Sequence, residues 1–361
     1  MAPRPLLIGN SDKDRLFPLD GVVRLYYQTK RIYQLYGQTN HLALLITDGP
    51  HSDTQDIRVP VFRWFNRFLK GDDSLIEMAA TKFFAPAQLR VFDKLPEDQV
   101  NTRIEEIFVP RAAPLPPAAS AAEANQQRAE YVKALREKVF GGWPAEGGAI
   151  KPKLKALSDR DGVSVRTYQF DSQPEVSLRL WVAQDAEVNR PEKVLLTVLD
   201  AKSWTSSPAR WLWAGGATPE ARAALRREMQ AGKAALAFFA PREVAPAKWQ
   251  ANKKKTAQVR RRYMLLGQTL DGMRVWDIRC AAQAVKALPE FAKTPLYVQA
   301  RGQMGVNAAY AALFDPEIEK LNLQGLPDSH MEGPDYLNVL KVGDIPQVLE
   351  FLGKRMQAKM P

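Results

Sequence analysis

Pro295-Leu-Tyr-Val-Gln-Ala-Arg-Gly-Gln-Met-Gly-Val-Asn-Ala-Ala-Tyr-Ala-Ala-Leu313 is the stretch whose reading decides the fold. A short apolar run around Leu296 reads as a buried strand, Ala300 to Gly305 as a sharp turn of small residues, and the alanine-rich continuation as a helix. Strand, tight turn and helix in that order are the context of a nucleophile elbow, Gly-x-Ser-x-Gly, in which the serine stands exposed on the turn. Laying that pattern on Ala300 to Gly305 puts Gly302 in the serine's place. Gln303, the residue after it, would supply a backbone N–H to an oxyanion.

Outward from this stretch, the second half of the chain alternates apolar strands with amphipathic helices. Strands are expected at Val194–Leu199, Ala234–Phe239, around Leu296 and at Ile318–Leu323. Helices are expected at Pro219–Ala231, over most of Arg260–Leu288, from Gly305, and from Asp344 to about Met356. That alternation implies the α/β class, with a mostly parallel sheet and helices on both faces. Before it, Val163–Phe170 and Val176–Ala183 read as a hairpin and Glu130–Val139 as a helix. The Ala-, Pro-, Ser- and Gln-rich run Ala112–Arg128 is the best linker candidate. At the start of the chain, Leu6–Gly9 reads as a strand and Asn10–Pro18 as a polar turn. A helix over 20–36, a strand at His41–Ile46, a loop Thr47–Asp53 and an amphipathic helix at Val59–Leu69 follow. The chain therefore divides into 1–75, with two strands and their loops, a wrapping segment and linker at 76–150, and an α/β core at 151–361.

Composition narrows the function classes. With 361 residues, 45% hydrophobic and 25% charged, the chain can bury a large core. No apolar run reaches the ~18 residues that cross a bilayer and no signal peptide is visible, so no membrane role is expected. The net charge of +11 peaks at Lys253–Lys255 and Arg260–Arg262. No nucleic-acid module accompanies those residues, so they read as a solvated face, and a nucleic-acid partner is not expected. The single cysteine, Cys280, falls inside a predicted helix and reads as core or neutral surface.

Serine-type hydrolysis needs a nucleophile, an imidazole to take its proton and a carboxylate to orient that imidazole. Asp14 and His51 follow consecutive predicted strands, so their loops would converge on the rim where open α/β sheets place their sites. More ordinary roles stand beside these: Asp14 or Asp12 as a helix cap, His51 as a surface histidine. Ser203, Ser206 and Ser207 lack the elbow context. Asp200, in the loop after the strand at Val194, would oppose an oxyanion rather than stabilise it. His330 with Asp328, Glu332 and Asp335 fits no standard metal spacing, so neither a metal nor any other cofactor is expected. Trp204, Trp211, Trp213 and Trp249 suit helix packing or a lid, with a sugar-binding cleft as the alternative.

Asp14 with its trailing Leu-Phe-Pro, His51 in Gly-Pro-His, the elbow at Ala300 to Gly305 and the long motif Arg261–Asp277 together resemble the α/β-hydrolase superfamily. Within it, the nearest resemblance is to acetyl-xylan-esterase and dipeptidyl-peptidase-like serine esterases. It covers residues 1 to about 70 and about 160 to 355. It implies a carbohydrate ester or another small ester as substrate, with serine attacking, His51 shuttling the proton, Asp14 orienting it and Gln303 helping to hold the oxyanion. Two departures qualify that implication. The family order is serine, acid, histidine, whereas here acid and histidine come first, and the serine position is Gly302. A rearranged or truncated gene would read this way. Either the first segment is the tail of an upstream hydrolase domain, or its strand at Leu6 docks on the edge strand at Ile318–Leu323, the arrangement we expect from the apolar edge there. Impaired catalysis is expected in both cases. The alternative is a non-catalytic module that binds carbohydrate or a partner hydrolase domain.

Overall fold

The structure, a computed structural model, describes residues 1–361 except 80–83, 146–147, 189, 209, 211–217, 247, 250–251 and 357–361. The chain forms two compact units, Met1–Val100 and Asn101–Pro361.

In the first unit, strands β1 (Leu6–Ser11) and β2 (Leu42–Thr47) pair in parallel, in register from Leu6 with Leu42 to Ser11 with Thr47. Parallel strands need a crossover, and helix α1 (Leu19–Leu35) provides it. Tyr33 ties α1 down by burying its ring and donating its hydroxyl to the Arg4 carbonyl at 2.6 Å. Helix α2 (Gln55–Phe65) starts four residues earlier than the apolar spacing predicts. Tyr33, Leu42 and Ala79 are the buried apolar side chains of this unit among the described residues.

The second unit begins with a helical turn α3 (Ile104–Ile107) and the long helix α4 (Ala121–Lys138). Helix α4 occupies much of the expected linker. Its start is set by Ser120, whose hydroxyl accepts the Glu123 N–H at 3.1 Å, while the Glu123 carboxylate accepts the Ala119 N–H at 2.7 Å. Then come β3 (Lys153–Arg160), β4 (Val163–Gln173), β5 (Val176–Asp185), β6 (Lys193–Val198), helices α5 (Ala201–Ser206) and α6 (Pro219–Gly232), and β7 (Ala234–Phe239). Helices α7 (Lys253–Leu265) and α8 (Leu270–Lys286), strand β8 (Leu296–Arg301), helix α9 (Gly302–Phe314), strand β9 (Ile318–Gln324) and helix α10 (Ile345–Leu352) complete the order. No helix among the described residues is long and apolar enough to cross a membrane.

Seven strands form one sheet in the order β3-β4-β5-β7-β6-β8-β9. Strands β7, β6, β8 and β9 are mutually parallel; β3 and β5 each run antiparallel to β4 between them, and β5 joins β7 antiparallel. The expected parallel sheet is thus its C-terminal half, extended by the hairpin. Every residue of β7 is buried, as befits a strand covered on both faces. Helices α8 and α9 pack on each other through small side chains, with Ala281, Ala282 and Ala284 on one and Ala308, Ala309, Ala311 and Ala312 on the other all buried. The motif Arg261–Asp277 builds the entry to this layer. Thr269 caps α8 by accepting the Gly272 N–H at 2.9 Å, Trp276 Nε1 donates to the Ser172 carbonyl at 2.7 Å, and Asp277 pairs with Arg242.

Candidate functional site

A strand, a sharp turn and a helix follow one another from Leu296 to Phe314. Strand β8 ends with Arg301 extended (φ −132°, ψ 154°), and α9 begins at Gly302 with φ +54°. That left-handed value is costly for a residue with a side chain and free for glycine. A Cβ built on Gly302 would meet only the Gly325 carbonyl oxygen, at 3.9 Å. The space for a serine side chain therefore exists, and the side chain does not. Gly302→Ala is expected to cost about 1–2 kcal/mol from backbone strain alone, read as a shifted urea midpoint with unchanged slope; a larger loss would point to a clash.

Gly302 lies in a cleft of about 780 Å³ at the C-terminal ends of β6, β8 and β9, lined among others by Thr197, Asp200, Lys202, Gln299, Arg301 and Gln324. Ligand sites of open α/β sheets form at this end of the strands. Only Asp200 and Gly302 of those lining residues were singled out from sequence. The others carry no motif of their own and become a set through the strand register, although Arg301 stands inside the elbow itself.

Asp200 has a structural role as well. It caps helix α5: its Oδ1 accepts the Ser203 N–H at 2.6 Å and the Ser203 hydroxyl at 2.7 Å, and Ser203 Oγ accepts the Asp200 N–H at 2.8 Å. The segment after β6 is thus the first turn of a helix, and its carboxylate answers a helix N–H group. Ser203 is thereby committed to the cap, and Ser206 Oγ donates to the Ser203 carbonyl at 3.3 Å.

Side chains on one face of α9 fasten it to the loop 329–336. Gln303 Nε2 donates to the Glu332 carbonyl at 2.8 Å, Asn307 Oδ1 accepts the Tyr336 hydroxyl at 2.5 Å, and the Tyr310 hydroxyl lies 2.8 Å from His330 Nε2. At Gly333, φ +99° favours glycine, and a Cβ there would stand 2.6 Å from Gln303 Nε2, so the glutamine side chain would have to shift.

His330 has both ring nitrogens occupied. Nδ1 lies 3.0 Å from the Pro334 carbonyl, which can only accept, so Nε2 takes the Tyr310 proton. Burial lowers its pKa from the ordinary value of 6.5, against the Pro334 bond and the charges of Asp344 and Asp271. The unfolded chain therefore binds a proton that the folded chain refuses. This contribution to stability is present above pH ~6.5 and is lost as the pH falls below it. Urea unfolding between pH 7 and 5 is expected to lose that slope in His330→Gln.

Cys280 is buried, with Sγ 3.7 Å from the Ser172 carbonyl, and burial pushes its thiol up to about 12. It is core. Trp204 packs buried against Trp181 at 5.4 Å, whereas Trp249 is 39% exposed and stacks on Tyr263. Trp211 and Trp213 lie outside the described residues.

The first unit brings the other two expected residues together. Asp14 Oδ2 lies 2.7 Å from His51 Nδ1, while Asp14 Oδ1 accepts the N–H groups of Leu16 and Phe17 at 2.7 and 3.0 Å. Desolvation opposes ionisation of Asp14, but the bonds from His51, Phe17 and Leu16 outweigh it and hold the carboxyl below its usual range. An ionised carboxylate fixes the proton on Nδ1 and leaves Nε2 as the acceptor, the tautomer that general-base catalysis requires. The Asp14 side chain is 3% exposed and that of His51 57% exposed. The two loops are also stitched by Lys13 with Asp48 at 2.9 Å and by the Gly49 N–H to Asp12 Oδ1 at 2.8 Å. Neither Asp12 nor Asp14 caps α1, whose N-cap is Pro18.

No family model matches the sequence, and no curated protein matches it. Solved structures do. A Bacteroides fragilis protein named as an acetyl xylan esterase superposes with a TM-score of 0.54 at 12% identity, over 76% of this chain and 79% of that one. The fold is an α/β-hydrolase fold. A glucuronoyl esterase from Solibacter usitatus gives 0.48 at 14% identity, over 70% and 80%. At these identities the likeness is one of fold. Strand β8, Gly302 and α9 make a strand, a tight turn and a helix in immediate succession.

Proposed function

We propose that the second unit is an α/β-hydrolase scaffold related to carbohydrate acetyl esterases that binds a ligand at the elbow cleft and does not cleave it. The observation that carries this is the identity and geometry of Gly302, a glycine at φ +54° on the turn where the attacking hydroxyl would stand. Without a nucleophile no acyl-enzyme can form, and what survives the loss of a triad member is weak background catalysis. The protein assayed with p-nitrophenyl acetate is therefore expected to run near the uncatalysed rate. A product burst that His51→Ala abolishes would overturn this reading.

The Asp14–His51 pair supports a second reading for the first unit, as the acid and base of a partner hydrolase domain. The Asp14 carboxylate accepts from Nδ1, so a neutral imidazole there offers Nε2 as an acceptor, the arrangement that serves a serine. That reading predicts that His51→Ala lowers the turnover of a serine-bearing hydrolase domain assembled with this chain by at least 10²-fold. An unchanged rate would refute it.

A further inference from the structure

Helix α7 has one face on the second unit and one in water. Asn252 starts it by accepting the Lys255 N–H at 2.9 Å. Tyr263 packs against the core and stacks on Trp249, Val259 and Met264 are half-buried, and Arg260 pairs with Asp335 at 2.6 Å. Opposite them, Lys254, Gln258, Arg261 and Leu265 stand at i, i+4, i+7 and i+11, and Lys255, Arg262 and Leu266 repeat that line one residue on, so they share one exposed face.

That face carries Lys254, Lys255, Arg261 and Arg262, none of which has an ion pair or side-chain hydrogen bond among the described residues. No carboxylate stands between Glu243 and Asp271 in the sequence to answer them. From sequence the run reads as a solvated face. The fold adds Leu265 and Leu266, which end the same face at 85% and 73% exposed. Water suits the cations and leaves two adjacent leucines uncovered. The phosphates of a nucleic acid would answer the cations, and the leucines would stay in water. An anionic bilayer answers both, with charged headgroups for lysine and arginine and an apolar boundary beneath them for leucine.

We propose that the outer face of α7 docks this protein on an anionic lipid surface, with Lys254, Lys255, Arg261 and Arg262 among the headgroups and Leu265 and Leu266 entering the boundary below. Such an attachment lies on the membrane and needs no spanning segment. It is independent of what the elbow cleft binds.

The test is sedimentation of the full chain with vesicles of phosphatidylcholine containing about 30% phosphatidylserine and with vesicles of phosphatidylcholine alone, beside fluorescence anisotropy with a labelled DNA duplex. Binding to the anionic vesicles is expected to exceed binding to the neutral ones by about tenfold or more, and to fall several-fold between about 50 and 250 mM salt. Each cation near an anionic leaflet contributes about fivefold in partition, so Arg261→Gln with Arg262→Gln should lose about tenfold or more. Leu265→Ser with Leu266→Ser should weaken binding several-fold and leave its salt dependence unchanged. These side chains are exposed, so both variants should melt with the parent. Lys153→Gln with Lys155→Gln removes two exposed cations from β3 instead and should keep the parental binding. An equal loss there would assign the effect to net charge and overturn the proposal. Equal binding to neutral vesicles, indifference to the leucine substitutions, or tighter binding to the duplex than to the vesicles would overturn it as well.

Discussion

Asp277→Asn is expected to destabilise the fold by about 3–5 kcal/mol, the range for removing one charge of a buried pair. Asp277 is fully buried and Arg242 is 5% exposed. The carboxylate accepts three bonds from Arg242, from its backbone N–H and Nε to Oδ2 at 3.0 and 2.8 Å and from Nη2 to Oδ1 at 2.6 Å. Arg242 Nη2 also reaches Ser172 Oγ at 3.3 Å. Desolvation works against the buried guanidinium, and the bond and charge of Asp277 outweigh it, so Arg242 is held above its usual pKa. An amide at 277 keeps the shape and removes the compensation. Urea unfolding should show the loss as a lower midpoint. Arg242→Met with Asp277→Leu should recover much of it, since an apolar pair of similar volume carries no unpaired charge. Equal stability of Asp277→Asn and the parent would show that water reaches the pair.

Trp143→Ala is expected to cost about 3–5 kcal/mol, as large-to-small core substitutions of aromatic residues do. The ring is 6% exposed, stacks on Phe140 at 4.3 Å and 17°, and meets Phe314 edge-on at 4.9 Å. Its Nε1 donates to the Gly272 carbonyl at 2.7 Å, which joins the segment after α4 to the first turn of α8. The buried Arg279 guanidinium sits 5.2 Å from its centroid. Trp143→Phe keeps the stack and loses the donor, so it should lie between parent and alanine. Thermal melting orders the three, and a Trp143→Phe variant as unstable as alanine would assign most of the effect to the hydrogen bond.

The parallel half of the sheet was legible because its strands open on short apolar runs, and β7 is buried throughout. Ala234–Phe239 and Leu296–Ala300 allow no other reading once flanked by turns and amphipathic helices. Strand β3 was not legible, since all eight of its residues are exposed and no alternation marks a face. Helix α5 was missed for a different reason. Six residues are too few for periodicity, and the signal was the cap, Asp200 followed three residues later by Ser203. The start of α4 hid inside an alanine- and serine-rich composition, although Ser120 with Glu123 spells a capping box. In the first unit, Asp14 and His51 could be found because consecutive parallel strands bring their C-terminal loops together; in the second, Gly302 could be found because the strand, turn and helix around it are contiguous in sequence. Lys202, Gln299 and Gln324 become neighbours only through strand register, which a single sequence does not display.

The fastening of α9 to the loop 329–336 has a consequence for how the elbow fluctuates. Residues 303, 307 and 310 recur at the helical repeat, so the three bonds load successive turns of α9 from one side. To fray from its N-terminus, the helix must release Glu332, Tyr336 and His330 in turn, and the loop cannot lift without exposing Tyr310, whose side chain is fully buried. Helix and loop form one cooperative unit, and the turn at Gly302 inherits the stability of a loop that begins 27 residues further along the chain.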